Sequence, residues 1–167
     1  MLSMMDSAAT KRFWDKVIKG QGPGACWVWT GAIGADGYGR FWVKDRDNPE
    51  GFTMWRAHRY AAAAAFGLEH VQAAEMVTHL CDNPLCVRAE AGATSHLFLG
   101  NHADNMRERA ARGRDNLHGH VFLRRSRAER AADARELRDF VLEHGYSQEV
   151  IDRLGRGIVM EGQTQLF

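Results

Sequence analysis

The chain has 167 residues, which suits a single domain with one hydrophobic core and a short extension. Its formal net charge of +1 excludes a protein that binds nucleic acid through overall basic charge alone. No apolar segment is long enough to span a membrane and the N-terminus lacks a signal-peptide core, so we expect a cytoplasmic protein. In a reducing compartment the three cysteines are expected to bind metal rather than form disulfides.

The first part of the chain predicts one helix followed by several strands. An amphipathic helix is predicted at 8–19, and two aromatic strands at 26–30 and 38–44 are predicted to form a hairpin around a turn rich in glycine. The segment TMWRAH is predicted to be another strand, which leads into an alanine-rich helix at 58–66 that ends at Gly67. These elements indicate an α+β fold.

The second part predicts a strand, an irregular segment and then helices. EMVTHL is predicted to be a strand, 82–95 to be irregular, and 101–112 to be a helix. An exposed basic linker is expected at 113–126, followed by a helix at 127–144 and a shorter one in SQEVIDRLG. We therefore expect a core at 1–114 and a linker with a helical extension at 115–167. The extension resembles the first two helices of a helix-turn-helix, but packing or dimerisation is the favoured interpretation because no recognition helix follows.

Two of the three cysteines lie close together in THLCDNPLC, where Cys81 and Cys86 flank a proline-containing loop. His96 follows ten residues later, and structural zinc sites require four nitrogen or sulfur ligands. The fourth ligand is either Cys26, the remaining thiol, or His79. Cys26 is favoured because thiolate suits structural zinc. The alternative to a zinc site is that these cysteines are ordinary buried residues that pack as small apolar groups.

The motif HLCDNPLC, followed by HL and then DN, resembles the core of phage-type HNH endonucleases and His–Cys-box homing endonucleases. These families share the His–Me finger, or ββα-metal, fold. Upstream segments CWVWTG, GYGRF and AHR resemble the same families, so that the likeness extends from about Phe13 to Arg114. One departure is the lengthened segment CVRAEAGATSHL, which is expected to bulge outward and leave His96 in place.

The resemblance implies roles for individual residues. His79 matches the general base, and Asn105 matches the ligand of a catalytic magnesium or manganese ion. Cys26, Cys81, Cys86 and His96 match the zinc ligands. The implied reaction is hydrolysis of double-stranded DNA to 5′-phosphate and 3′-hydroxyl ends, and a homodimer is one way to cut both strands.

Arginines supply the expected contacts with phosphate. One of Arg40, Arg46 and Arg56 is expected to hold the scissile phosphate. Between residues 101 and 127 seven arginines stand against three acidic residues. The arginines expected to contact the DNA backbone from this segment are Arg107, Arg109, Arg112, Arg114, Arg124 and Arg125, with Arg127 beside them. A non-catalytic, zinc-stabilised DNA-binding module is the alternative function, and an interaction domain without a nucleic-acid partner is a third.

Overall fold

The computed structural model describes residues 6–45, 47–111 and 126–155. These residues form helices and short antiparallel strands, which confirms the predicted α+β class. In chain order the elements are α1 (Ser7–Trp14), β1 (Val17–Lys19), β2 (Trp27–Trp29), β3 (Arg40–Lys44), β4 (Phe52–Arg56), α2 (Ala57–Phe66), α3 (Leu68–Ala73), β5 (Met76–His79), β6 (Leu97–Gly100), α4 (His102–Ala111), α5 (Arg127–His144) and α6 (Gln148–Val150), with a π-helical turn at Ile151–Gly155.

The strands pair differently from the sequence prediction. Helix α1 ends at Trp14 instead of residue 19, and the next residues form β1, which pairs with β2. The two β-branched residues of β1 favour a strand, and the pairing satisfies its backbone groups. The predicted hairpin of 26–30 with 38–44 is wrong, because β3 pairs with β4. Strand β4 overlaps the predicted TMWRAH segment but begins one residue earlier, at Phe52, and it leads into α2, which ends before Gly67 as expected.

The core is organised around α2, which packs against both the β3–β4 and the β5–β6 ribbons. Consecutive buried alanines on α2 allow the strands to approach closely. Phe13 of α1 is fully buried at the centre of an aromatic cluster, with ring centroids 4.9 Å from Trp29, 5.1 Å from Phe41 and 4.7 Å from Tyr60. This cluster links α1 to the β3–β4 ribbon.

Strand β6 was not predicted, and it completes an antiparallel ribbon with β5. The register runs from Met76 opposite Gly100 to His79 opposite Leu97. Only one residue separates β6 from α4, so the helix begins at the Met76 end of the ribbon. The Glu75 carboxylate accepts a hydrogen bond of 2.9 Å from the first backbone N–H of α4, at His102, and so fixes where the helix starts.

Helix α5 matches the prediction and begins with a capping box between Ser126 and Glu129. Three of its buried residues, Ala134, Leu137 and Val141, belong to the same hydrophobic cluster as the α2 core. The helix approaches the loop before β3 so closely that a Cβ on Gly37 would lie 3.1 Å from the carbonyl oxygen of Arg130. The predicted boundary at 114/115 and most of the basic linker fall in 112–125, outside the described residues. No helix in the described ranges is long and apolar enough to cross a membrane.

Candidate metal centre and the adjacent histidine

Cys26, Cys81, Cys86 and His96 converge on one point, as predicted. Their ligand atoms all lie within 4.8 Å of one another, and three of the four residues are buried. The Nδ1 atom of His96 is 3.5 Å from the Cys86 sulfur and 3.7 Å from the Cys26 sulfur. The group could therefore hold a metal ion such as zinc. Of the two candidates for the fourth ligand, the fold brings Cys26 into the group rather than His79.

Two strand pairings bring these ligands together. The β5–β6 ribbon continues past His79, where the Leu80 N–H donates 3.0 Å to the His96 carbonyl, which places Cys81 beside His96. Cys86 forms a β-bridge with Val28 of β2. Because Cys26 immediately precedes β2, this bridge brings Cys86 close to Cys26. Ligands that are 70 residues apart therefore meet because β2 pairs with the loop after Cys81.

The loop between Cys81 and Cys86 is shaped by its polar residues. Asp82 adopts a left-handed conformation with φ of 58°, which aspartate tolerates better than most residues. The fully buried Asn83 accepts the Leu85 N–H on its side-chain oxygen at 3.0 Å, and its carbonyl accepts the Cys86 N–H at 3.0 Å. Asp82 and Asn83 therefore form the turn that points both thiols the same way.

The lengthened segment before His96 is only partly an outward bulge. His96 does remain at the metal group, as expected. However, Val87, Arg88 and Ala89 are buried, and only the residues from about 90 to 94 face solvent. The Val87 N–H donates 2.8 Å to the Trp27 carbonyl, so the first part of the insertion extends the pairing with β2.

Arg88 supports the metal group and was not predicted. Its guanidinium donates 2.7 Å to the Gly22 carbonyl and 2.8 Å to the Ala25 carbonyl, and it forms an ion pair with Glu90 at 2.7 Å. These bonds hold the loop that carries Cys26. No simple sequence pattern marks this role, because the arginine and the two carbonyls that it binds are more than 60 residues apart.

The C-terminal segment also supports the group. The Tyr146 hydroxyl accepts the backbone N–H of Cys26 at 3.2 Å and donates to the side chain of Gln148 at 2.7 Å. Gly155 lies so close to the Asn83 carboxamide that a Cβ there would be 2.8 Å away. Both cysteine loops are therefore in contact with residues that follow α5.

The thiols resist ionisation in the absence of a cation. Contact with the Cys26 thiol, together with burial, raises the pKa of Cys81 to about 12. Burial and the neighbouring thiols likewise raise the pKa of Cys86 well above its usual value. A divalent cation would offset this cost, because its binding replaces the thiol protons.

His79 lies directly beside the metal group without belonging to it. Its Nε2 atom is 3.0 Å from the Cys86 carbonyl oxygen, which can only accept, so Nε2 carries the proton. In the neutral ring, Nδ1 is then the basic nitrogen. Burial lowers the pKa of His79 to about 4, although the bond to Cys86 works in the opposite direction. The imidazole is therefore neutral at pH 7 and held in one tautomer.

A second histidine, His58 of the AHR segment, packs against His79. The ring centroid of His58 is 4.8 Å from that of His79 and 5.2 Å from that of Tyr38. His58 is buried, and its Nδ1 atom has no hydrogen-bond partner among the described residues. Burial lowers the pKa of His58 well below its usual value, and the nearby His79 and Arg56 add to the shift.

Two of the three arginines proposed for the phosphate lie together near this pair of histidines. Arg40 and Arg56 face each other across the β3–β4 ribbon, and both donate to Asp36, at 2.8–2.9 Å and 3.0 Å respectively. Burial raises the pKa of Asp36, but the hydrogen bonds from Arg40 and from the Tyr38 amide outweigh it, so the net pKa is lowered. The Arg56 guanidinium stacks 4.8 Å from the Tyr38 ring.

The other predicted residues are less completely described. Arg46 lies outside the described residues, as do Arg112, Arg114, Arg124 and Arg125. Asn105 is half-buried on α4, with its backbone N–H bonded to the Asn101 carbonyl at 3.1 Å. Arg107 is exposed on α4 and Arg127 is exposed at the start of α5, whereas only the backbone of Arg109 is described.

Comparison with known proteins gives two relatives, both from Escherichia phage T7. The chain is 33% identical to Protein 7.7 over 89 residues, which cover 53% of the chain and 58% of that relative. It is 32% identical to Protein 2.8 over 91 residues, which cover 54% of the chain and 53% of that relative. The chain thus spans little more than half the length of either relative. No protein-family model and no solved structure matches it.

Proposed function

We propose that the protein is a metal-dependent DNA endonuclease of the HNH, or His–Me finger, type, with a structural zinc ion. The observation that carries the proposal is the tethering of His79 to the Cys86 carbonyl beside a Cys3His group. A protein that used these ligands only as a structural zinc site would have no need of an oriented, neutral imidazole at this position. The antiparallel β5–β6 ribbon followed directly by α4 has the element order that the ββα-metal fold requires.

Zinc fits the geometry of the metal group. Tetrahedral coordination with Zn–S of about 2.3 Å and Zn–N of about 2.0 Å requires sulfur and nitrogen ligands roughly 3.6 Å apart. The His96 Nδ1 atom is 3.5 Å and 3.7 Å from two of the sulfurs. Three thiolates and one imidazole are a common donor set for structural zinc, and they leave no open position for chemistry at that ion.

In the proposed reaction His79 is the general base. Its Nδ1 atom accepts a proton from the attacking water, the water oxygen forms a bond to phosphorus, and the bond to the 3′ oxygen breaks. The products are a 5′-phosphate and a 3′-hydroxyl. The hydrogen bond to Cys86 keeps the ring oriented while Nδ1 acts.

The remaining roles belong to Asn105 and the paired arginines. Asn105 would hold a magnesium or manganese ion through its amide oxygen, and that ion when bound would stabilise the charge on the leaving oxygen. Arg40 and Arg56 would hold the scissile phosphate, since one carboxylate offsets only one of their two charges. Both relatives are phage proteins, so the setting that we propose is a phage-infected bacterium. There the substrate would be double-stranded DNA, and the protein would act as a monomer or a homodimer.

The test of catalysis is the nicking of supercoiled plasmid with magnesium or manganese and the purified protein. His79→Ala should abolish nicking, because the base is lost, while zinc content stays unchanged. His70→Ala is the matched control, since that histidine is exposed on α3 and does not belong to the metal group. Absence of nicking with every divalent metal, or equal rates for wild type and His79→Ala, would contradict the proposal. Tight DNA binding without any nicking would favour the non-catalytic DNA-binding module instead.

The test of the structural zinc is metal analysis of the purified protein. We expect one zinc per chain, lost together with cooperative unfolding in Cys81→Ser. Leu85→Ala is the matched control: Leu85 is fully buried in the same loop, so this variant is destabilised by about 2–5 kcal/mol but keeps all four ligands and should keep its zinc. A folded wild-type protein without metal would contradict the assignment.

A further inference from the structure

The outer face of the β3–β4 ribbon has an unusual composition. The register places three pairs on this face, namely Arg40 with Arg56, Trp42 with Met54, and Lys44 with Phe52. Along both strands these positions are more exposed than the positions between them, which are buried on β3 and half-buried on β4, so these side chains point away from the core. Among the six, the indole N–H of Trp42 is the only neutral hydrogen-bond donor, and none is a strong neutral acceptor.

Large apolar side chains are exposed on this face. Trp42 is 54% exposed, Phe52 45% and Met54 40%, although each could have been polar without loss to the core. The other large exposed apolar residues in the described ranges lie singly on different elements. A contiguous exposed apolar group bordered by charge is typical of an interaction surface.

The charges around this apolar group favour a polyanion. Arg40 and Arg56 lie at the end nearest His79, and in the described part of the chain only Asp36 forms ion pairs with them. Arg12 adds a third cation at the edge of the ribbon, where it donates 2.6 Å to the Trp42 carbonyl. At the opposite end the turn after Lys44 carries acidic residues, which would repel phosphate. A polyanion would therefore cross the ribbon at Trp42 and Met54 instead of running to its tip.

We propose that Trp42 and Met54 form an apolar wedge that presses against the base stack of duplex DNA beside the bond to be cut. This inference rests on the proposed function for the identity of the substrate. Reading of base edges requires hydrogen-bonding side chains, and on this face only the cations and the single indole N–H of Trp42 could supply them, all as donors. Large apolar side chains flanked by cations instead suit partial unstacking of a base step, which kinks the duplex. Arg40 and Arg56 hold the adjacent phosphates and orient the kinked strand toward His79.

Binding is measured in the His79→Ala background with zinc retained, so that DNA is bound but not cut. The probe is a 30-base-pair duplex with 2-aminopurine at successive positions, followed by anisotropy for affinity and by base fluorescence for unstacking. Trp42→Ala should weaken binding about 5- to 100-fold and abolish the fluorescence increase. Leu142→Ala is the matched control, because Leu142 is an exposed apolar residue on α5 and should change neither signal.

Several outcomes would overturn the wedge. These are equal affinities for the Trp42→Ala and Leu142→Ala variants, no unstacking by the parent protein, or tighter binding to single strands than to duplex. Loss of a homodimer in Trp42→Ala, measured by sedimentation, would assign the face to a second copy of the chain instead. If the protein unstacks the duplex but never nicks plasmid, the wedge is supported and the proposed endonuclease function is contradicted. The two proposals can therefore fail separately.

Discussion

Replacing Tyr146 with phenylalanine should destabilise the protein by about 2 kcal/mol. The variant keeps the ring that packs against Gly20 but removes the hydroxyl that accepts the Cys26 N–H at 3.2 Å. Cys26 is fully buried, so water does not readily replace the hydroxyl as acceptor for its amide. Loss of this hydrogen bond should therefore lower the unfolding free energy by about 1–3 kcal/mol. The exposed bond to Gln148 adds roughly 0.5 kcal/mol to the loss.

The assay is thermal and urea unfolding at saturating zinc. For a chain of this size, about 2 kcal/mol corresponds to a fall in Tm of roughly 4–8 °C. The Gln148→Ala variant loses the exposed bonds but not the buried one, so its loss should stay well below that of Tyr146→Phe. Zinc should also transfer faster to a chromophoric chelator, because the backbone of a ligand is less firmly held. Equal unfolding free energies for the two variants would refute the reasoning.

Three further perturbations test the fold around the site. Asp36→Asn should lower the unfolding free energy most at neutral pH and progressively less below about pH 4. The reason is that a carboxylate with a lowered pKa stabilises the fold above its unfolded pKa and loses that effect as the pH falls through its folded pKa. Urea unfolding of wild type and variant at pH 7 and pH 3 measures the difference in unfolding free energy, and the same difference at both pH values would contradict the reasoning. Phe13→Ala should cost about 3–5 kcal/mol in the same urea assay, because it empties the centre of the aromatic cluster, and a loss below 1 kcal/mol would show that this cluster is not the core. Arg88→Met should speed zinc release, since the loop before Cys26 loses two hydrogen bonds. Arg138→Met is the control: it removes an exposed ion pair on α5 and should leave the rate of zinc release unchanged.

Local sequence signals were sufficient for most of the helices and for the loop that carries Cys81 and Cys86, but not for the end of α1 or for helix α3. Glycine after Phe66 and the Ser126–Glu129 capping box mark helix ends that depend only on neighbouring residues. The spacing of Cys81 and Cys86 likewise indicates a shared loop. Such features are predictable because the residues that determine them are close together in the chain.

Strand pairing and the supports of the site could not be predicted in the same way. β2 is aromatic and β-rich whether it pairs with β1 or with β3, and the choice depends on which partner also brings Cys86 to Val28. Strand β6 is four residues long, and an apolar run of that length is compatible with several structures. Arg88 and Tyr146 act on Cys26 from distant positions, so their roles appear only after the chain has folded.

The contact between Tyr146 and Cys26 has a consequence for biosynthesis. All four ligands lie between residues 26 and 96, so a ribosome synthesises the complete donor set before it has made Tyr146. A nascent chain can therefore capture its ion early, but the ion sits on a loop whose buried amide still lacks this acceptor. Retention of the ion thus depends on translation of α5 and of the residues that follow it.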